Sequence, residues 1–242
     1  MRSHLYNSKL GKVAWFVERF GFSELVLKPC RVVFAPILLP RLPRKTFAFQ
    51  GATLECFYHA YNMTWACERC VEIPIARAYL GQHVGRRILE VGNVLSHYGP
   101  VAHDVLDKFE KGEQVINQDI VSFHPTTKYD LILSISTFEH IGFDDAADEG
   151  SAAKIKTAIQ SCRQLLEPTG KLVLTVPIGY NPELDEMLKR GELPFQREFY
   201  LRRTGRQQWE PCDKSAALRC RYRRPFPYAN AILAAECSAL TG

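Results

Sequence analysis

A mainly parallel α/β sheet covered by helices on both faces is the fold class that this sequence predicts. Three observations carry the expectation. First, after residue 84 short β-rich apolar runs alternate with polar and helical stretches, and strands alternating with helices build parallel sheets. Second, the longest runs, YDLILSI at 129–135 and KLVLTV at 171–176, are apolar enough for strands buried on both sides. Third, the chain has 242 residues, of which 46% are hydrophobic and 24% charged. That composition excludes wholesale disorder and fits one domain of moderate size, or one domain plus a cap.

Residues 1–83 read as an N-terminal helical or irregular cap, rich in aromatics and interrupted by Pro29, Pro36, Pro40 and Pro43. Within it Thr64 to Leu80 predicts a helix, with a kink or fresh start at Pro74 and closure at Gly81. Residues 84–242 read as the core. Its expected strands are Arg87–Val91, ending at Gly92, then Val105–Asp107 after a turn at Gly99-Pro100, Gln114–Asn117, Tyr129–Ile135 and Lys171–Val176. Ala152 to Leu166 has helical spacing, with Ile155, Ala158, Ile159, Cys162, Leu165 and Leu166 on one face, and stops at Pro168 and Gly170. Ala229 to Ala235 fits a last strand or a short helix. Ten residues separate Gly92 from His103 and about six separate Asp107 from Gln114. A full crossover needs about a dozen, so the first two helices of the core are expected to be abbreviated.

The net charge of +5 is too mild to mark a nucleic-acid binder. A cluster of arginines between Arg197 and Arg224 fits a solvated surface, or a face toward an anionic substrate or RNA. The apolar run Val32–Leu39 contains Pro36 and falls far short of the roughly 20 residues of a spanning helix. The first dozen residues lack the apolar stretch of a secretory signal. Eight cysteines in a chain of this size, with no export signal, are expected as reduced thiols in a cytoplasmic protein. Cys67 and Cys70 form a CxxC without a second pair at matching spacing, so no metal site is expected.

Ligands of open parallel sheets bind outside the carboxyl ends of the strands, where strand order reverses. The residues that follow the expected strands are informative there. Glu90, Gly92 and Asn93 close the first, Asp107 the second, Asp119 and Ile120 the third, and Ser134, Ser136, Glu139 and His140 the fourth. A glycine lets backbone approach a ligand closely. Acids at successive strand tips can accept the hydroxyls of a ribose and the amino group of an adenine. Together they describe a pocket for an adenosine-containing cofactor. A nicotinamide dinucleotide would call for G-x-G-x-x-G, and only one of those glycines is present.

The strings ILEVGN, Asp107, NQDI, KYDLILSISTFEHIG and LLEPTGKLVLTVP, in that order, resemble the class I S-adenosylmethionine-dependent methyltransferases, in particular their small-molecule (type 11-like) branch. The match spans roughly residues 84–180. It implies a Rossmann-like, doubly wound sheet of about seven strands, S-adenosyl-L-methionine as cofactor, and a small-molecule acceptor such as a sugar or a biosynthetic intermediate, methylated on oxygen or nitrogen. By position, the resemblance places Glu90, Gly92 and Asn93 near the methionine part, Asp107 on the ribose diol, Asp119 near the adenine amino group and Ile120 against the ring. Ser134 and Ser136 fall in the loop under methionine and ribose. The sequence departs from the family's glycine-rich first motif, with Val94 and Ser96 where further glycines usually stand. The family's Asn-Pro-Pro-Tyr signature for base or glutamine methylation is absent after Ile135.

An acceptor oxygen or nitrogen can need its proton removed, and a histidine suits that role. His140, followed by Glu139, is the candidate base; the plainer reading of each is a packing or capping residue. The segment Phe57–Pro74 is the candidate acceptor wall through Tyr58, His59, Tyr61, Trp65 and Glu68, or alternatively a core-packing helix. Glu68 and Glu72 share a helix face and want partners, for which Arg69 and Arg77 are near in sequence. Two other functions stay open: a non-catalytic cofactor-binding or partner protein of the same fold, and an RNA methyltransferase. Nucleic acid, membrane insertion and metal are not expected, and the sequence is silent on oligomeric state.

Overall fold

The computed structural model describes residues 22–143 and 151–240. Helix α1 (Phe22–Leu38) leads into a hairpin of β1 (Thr46–Phe49) and β2 (Ala52–Glu55), then helix α2 (Arg69–Gln82). The core follows as β3 (Ile88–Val91), β4 (Asp104–Leu106), β5 (Val115–Ile116), β6 (Tyr129–Ile135), α3 (Ser151–Gln164), β7 (Leu166–Pro177) and α4 (Pro182–Arg190). It closes with β8 (Arg197–Gly205), β9 (Gln208–Cys212), α5 (Lys214–Leu218) and β10 (Ala231–Ser238).

One eight-stranded sheet runs β5-β4-β3-β6-β7-β10-β8-β9. The five strands from β5 to β7 are parallel, whereas β10 is antiparallel to both β7 and β8. This is a Rossmann-like α/β sheet, and its order reverses between β3 and β6, so the crevice for a ligand lies at their carboxyl ends. The sheet has one strand more than the expected seven, because β9 adds an antiparallel edge next to β8.

Both faces of the sheet are covered, and period-two alternation along each strand assigns its side chains to one face or the other. On one face Leu131, Leu133, Val173 and Ile232 pack with Val71, Ile75 and Tyr79 of α2 and with Phe47 and Phe49 of the hairpin. On the other, Ile132, Leu172, Leu174 and Leu233 pack with Ile155, Ala158, Ile159 and Cys162 of α3 and with Leu184, Met187 and Leu188 of α4. As expected, no full helix joins β3, β4 and β5. A single 3-10 turn, Leu95–Tyr98, stands in for the first crossover.

Several elements differ from the sequence expectation. The helix expected over Thr64–Leu80 is broken at Cys67, which is extended, and not at Pro74. Before the break lies a 3-10 turn, Tyr61–Ala66, with Asn62 and Met63 in left-handed backbone. Pro74 is tolerated inside α2 because the carbonyl it cannot serve, that of Cys70, accepts the amide of Phe57 at 2.8 Å. Gly81 lies within α2, which ends at Gln82 where the amide of His83 bonds to the Leu80 carbonyl. Of the last apolar run, residues 231–235 lie in the strand β10. Of the arginine cluster, Arg197, Arg202 and Arg203 lie on β8, Arg206 in the turn to β9, and Arg221, Arg223 and Arg224 in the loop before β10. Arg203 is buried, and its guanidinium donates to the carbonyls of Gly205, Pro227 and Arg206.

Helix α4 went unforeseen, although its ends are marked. The side chain of Asn181 accepts the amides of Glu183 and Leu184, Pro182 sits in the first turn, and Gly191 closes the helix at φ 66°. Among the described residues no helix is long and apolar enough to cross a membrane.

Candidate active site

At the reversal point, Gly92 follows β3 at φ 90°, and a Cβ there would stand 2.1 Å from Thr137 Oγ1. Only glycine allows the loop after β3 to lie so close to the loop after β6. Glu90 sits one residue before the strand's last position and is fully buried. Its Oε1 accepts the amides of Val94 and Leu95 at 2.9 and 2.8 Å, and its Oε2 meets His103 Nε2 at 2.8 Å. Glu90 therefore holds the loop in place from below. Asp107, at the tip of β4, does the same from the side. It accepts the amide of Asn93 at 2.9 Å and those of Phe109 and Glu110 at 2.8 and 2.7 Å. A carboxylate has about four lone-pair positions, so one remains for a ligand hydroxyl.

The side chain of Asn93 accepts from the Ser96 hydroxyl. Asp119 lies beyond β5, with Lys108 Nζ at 2.9 Å and the Val121 amide on its Oδ1. Burial alone would raise its pKa, but these two partners outweigh it and hold the carboxyl below its ordinary value. Ile120 is buried beside it. The two serines point away from the crevice. Ser134 Oγ donates to the Val91 carbonyl at 2.9 Å, and Ser136 Oγ donates to Glu72 Oε1 at 2.6 Å. Ser136 takes a left-handed φ of 41°, a strained conformation of the kind that clusters at functional sites.

Beneath this loop lies a buried charge cluster. Glu72 is fully buried, with Arg69 Nη1 3.7 Å from its Oε2, and the same guanidinium donates to the Ile135 carbonyl at 2.8 Å. Glu139, 1% exposed, has its carboxyl pushed up to about 7, chiefly by burial, which His140 offsets in part and Glu72 reinforces to a smaller degree. Among the described residues Glu72 Oε2, Glu139 Oε2 and Trp65 Nε1 are buried without a hydrogen-bond partner. His140 is half-exposed, its Nε2 3.6 Å from Glu139 Oε1 and its Nδ1 3.1 Å from the Tyr180 hydroxyl. Tyr180 in turn packs edge-on to Tyr222, with ring centroids 5.3 Å apart.

The expected acceptor wall separates into two parts. His59 and Tyr61 join an aromatic cluster with the loop after β3. Tyr61 stacks on His97 at 4.7 Å, and both His59 and Tyr61 meet Tyr98 edge-on. Tyr58 turns away and donates to the Pro43 carbonyl at 3.2 Å. Glu68 is bound to the loop leading into β10, where its Oε2 accepts the Ala229 amide at 3.0 Å. Arg77 stacks over Phe57 rather than pairing with an acid, its guanidinium 4.2 Å from the ring centroid.

Sequence reasoning did not single out Tyr180, which follows Gly179 at the end of β7. The signal was its place beyond a strand's carboxyl end. Gly179 itself brings the chain against Tyr222, since a Cβ there would lie 2.8 Å from the Tyr222 amide nitrogen. A concavity at the opposite end of the sheet, lined by Arg87, Lys128, Asp130 and Glu167, contains none of the predicted residues.

No family model matches the chain, and no curated protein matches it. Solved structures do. The N-methyltransferase NodS from Bradyrhizobium japonicum, in complex with S-adenosyl-L-homocysteine, is 14% identical over 70% of this chain and 85% of its own, with a TM-score of 0.43. A TehB-like S-adenosylmethionine-dependent methyltransferase from Corynebacterium glutamicum is 19% identical over 68% and 86%, with a TM-score of 0.39. The glycopeptide N-methyltransferase MtfA, in complex with S-adenosyl-L-methionine, is 14% identical over 69% and 86%, with a TM-score of 0.34. Scores and identities this low carry neither activity nor acceptor to this chain, whose fold is defined by its own strand order.

Proposed function

We propose that this protein is a methyltransferase that binds S-adenosyl-L-methionine at the carboxyl ends of β3, β4 and β6 and methylates a small-molecule acceptor on nitrogen or oxygen. The observation that carries the reading is the convergence of Gly92, Asp107 and the strained Ser136 at successive strand ends around the point of reversal. The residues fit the cofactor in part. Asp107 keeps a lone pair for a ribose hydroxyl, Ile120 offers an apolar surface to adenine with Asp119 beside it, and the bare backbone at Gly92 admits close approach. Arg69, whose guanidinium makes one hydrogen bond in the cluster, has N–H groups left for a carboxylate.

When bound, the cofactor supplies an electrophilic methyl group on a sulfonium, so the protein's task is alignment and proton removal. His140, held by Tyr180, and Glu139, poised near neutrality by burial, are placed to take the acceptor's proton. Tyr180 and Tyr222 form an aromatic rim beside them. His59, Tyr61 and Trp65 supply the wall, with Tyr58 and Glu68 fixing its position from behind.

One observation favours a second reading, a non-catalytic member of the fold. Three of Asp107's lone-pair positions are filled by backbone amides, and both serine hydroxyls are committed inward. Calorimetric titration with S-adenosyl-L-homocysteine separates the two. Binding at micromolar concentration that is lost in Asp107→Ala, with Asp107→Asn as the milder control, supports the enzyme. Absence of heat with folded wild-type protein leaves the non-catalytic reading.

A further inference from the structure

The positive charge of this protein is concentrated at one end. Residues 1–45 contain nine Lys and Arg against Glu18 and Glu24, a balance of +7. The remaining 197 residues contain 22 against 24, a balance of −2. Among the described residues, the same end carries an exposed apolar surface. Of residues 29–38 in α1 only Ala35 is buried. Val33 is 70% exposed, Phe34 53% and Ile37 54%, with Val32 and Leu38 beside them. Arg41, Arg44 and Lys45 follow immediately and are exposed. Contiguous exposed aliphatic surface of this kind marks an interaction site.

We infer that α1 and the basic segment after it form a docking surface for an anionic lipid bilayer. A helix that offers aliphatic and aromatic side chains beside Lys and Arg lies in the plane of the headgroups, its apolar residues at the acyl boundary and its cations on lipid phosphates. The helix has 17 residues with Pro29 and Pro36 inside, so it rests on the membrane and does not span it. A nucleic acid would use the cations but leave Val33, Phe34 and Ile37 in water. A second copy would bring two strongly basic ends together against their repulsion. Because α1 packs beside the Tyr61–Ala66 turn, docking brings the acceptor wall of the proposed function close to the lipid surface. The docking itself does not rest on that function.

The test is co-sedimentation of the full chain with vesicles of phosphatidylcholine alone and with vesicles enriched in phosphatidylserine, at low and high salt. Wild type is expected to pellet with the anionic vesicles only, and less at high salt. Val33→Ser combined with Ile37→Ser, both at exposed positions, is expected to weaken binding about tenfold or more with the melting temperature unchanged. Arg41→Glu with Lys45→Glu is expected to do the same. The proposal is overturned if wild type ignores anionic vesicles at low salt, or if the apolar variant binds them as wild type does. It is also overturned if size-exclusion with light scattering shows a dimer that the apolar variant dissolves, or if RNA rather than lipid is bound and the apolar variant retains it. Cofactor calorimetry reads the other site, so either reading can fail alone.

Discussion

Glu139 shows what burial does to a single carboxyl. Its pKa in the folded protein, about 7, lies above the ordinary 4.5, so the folded state holds the proton more tightly than the unfolded chain. Its contribution is full below the ordinary value, is lost as pH rises through 7, and amounts to about 3 kcal/mol at most. Glu139→Gln removes the titration. The stability gap between variant and wild type is expected to shift in the variant's favour by about 2 kcal/mol between pH 5 and pH 8, read from urea unfolding at the two pH values. A gap that stays constant would show that Glu139 ionises like an exposed acid. Gly92 makes the complementary point about shape. Gly92→Ala meets both the Thr137 side chain and a φ of 90°, and is expected to cost about 3 kcal/mol, of which the backbone supplies roughly 1–2. Adding Thr137→Ala should recover only the steric part in the same unfolding experiment.

The loop after β3 depends on carboxylates where its family resemblance would lead one to look for glycines. Glu90 receives two loop amides and His103 from a fully buried position. Glu90→Ala leaves those groups without an acceptor, at about 1–3 kcal/mol each, so a loss of about 3 kcal/mol or more is expected together with loss of S-adenosyl-L-homocysteine binding. Glu90→Gln retains an oxygen for the amides, and His103 can change tautomer to accept from the new amide group; thermal melts should show a much smaller loss. The contrast between the two variants measures the acceptor role of Glu90 apart from its volume. Val94 and Ser96 are compatible with the loop for the same reason, because Glu90 and Asp107 supply the hold on its backbone.

At the scale of the whole molecule, Glu236 of β10 joins the layers. Its carboxylate accepts from Tyr79 of α2, from Gln50 at the hairpin turn and from Lys171 of β7. Burial alone would raise its pKa, but the hydrogen bonds from Tyr79, Lys171 and Gln50 together hold it below the ordinary value of 4.5. The stability it confers is therefore present above that value and is lost as pH falls through the lower folded-state value. Glu236→Gln is expected to be about 2 kcal/mol less stable than wild type at pH 7, from the loss of charge-assisted bonds, with the gap closing on acidification. Hydrogen exchange should locate the loosening in the hairpin and α2. Equal protection in the two proteins would show that packing alone joins these layers.

Sequence alone determined the elements whose pattern is local. Ile155, Ala158, Ile159 and Cys162 repeat at helical spacing, so α3 is legible in the order of its residues. The continuous apolar runs of β6 and β7 declared strands buried on both faces, and the short spacers before Asp107 and Gln114 announced missing helices. The positions of Glu90, Gly92, Asp107 and Asp119 at strand ends were readable because a strand's end is itself a local feature. The tertiary structure decided where charge is buried and by what. Nothing near Arg203 in sequence shows that its guanidinium turns inward to carbonyls, so β8 reads only as an arginine-rich stretch. Pro74 looked like a helix break because its carbonyl partner's substitute, the amide of Phe57, lies 17 residues away. Ser136 and Glu72 are 64 residues apart, and their hydrogen bond exists only because α2 lies across the sheet. Periodicity records which side of an element meets apolar surroundings; the free energy of a buried carboxyl depends on groups that folding brings from elsewhere in the chain.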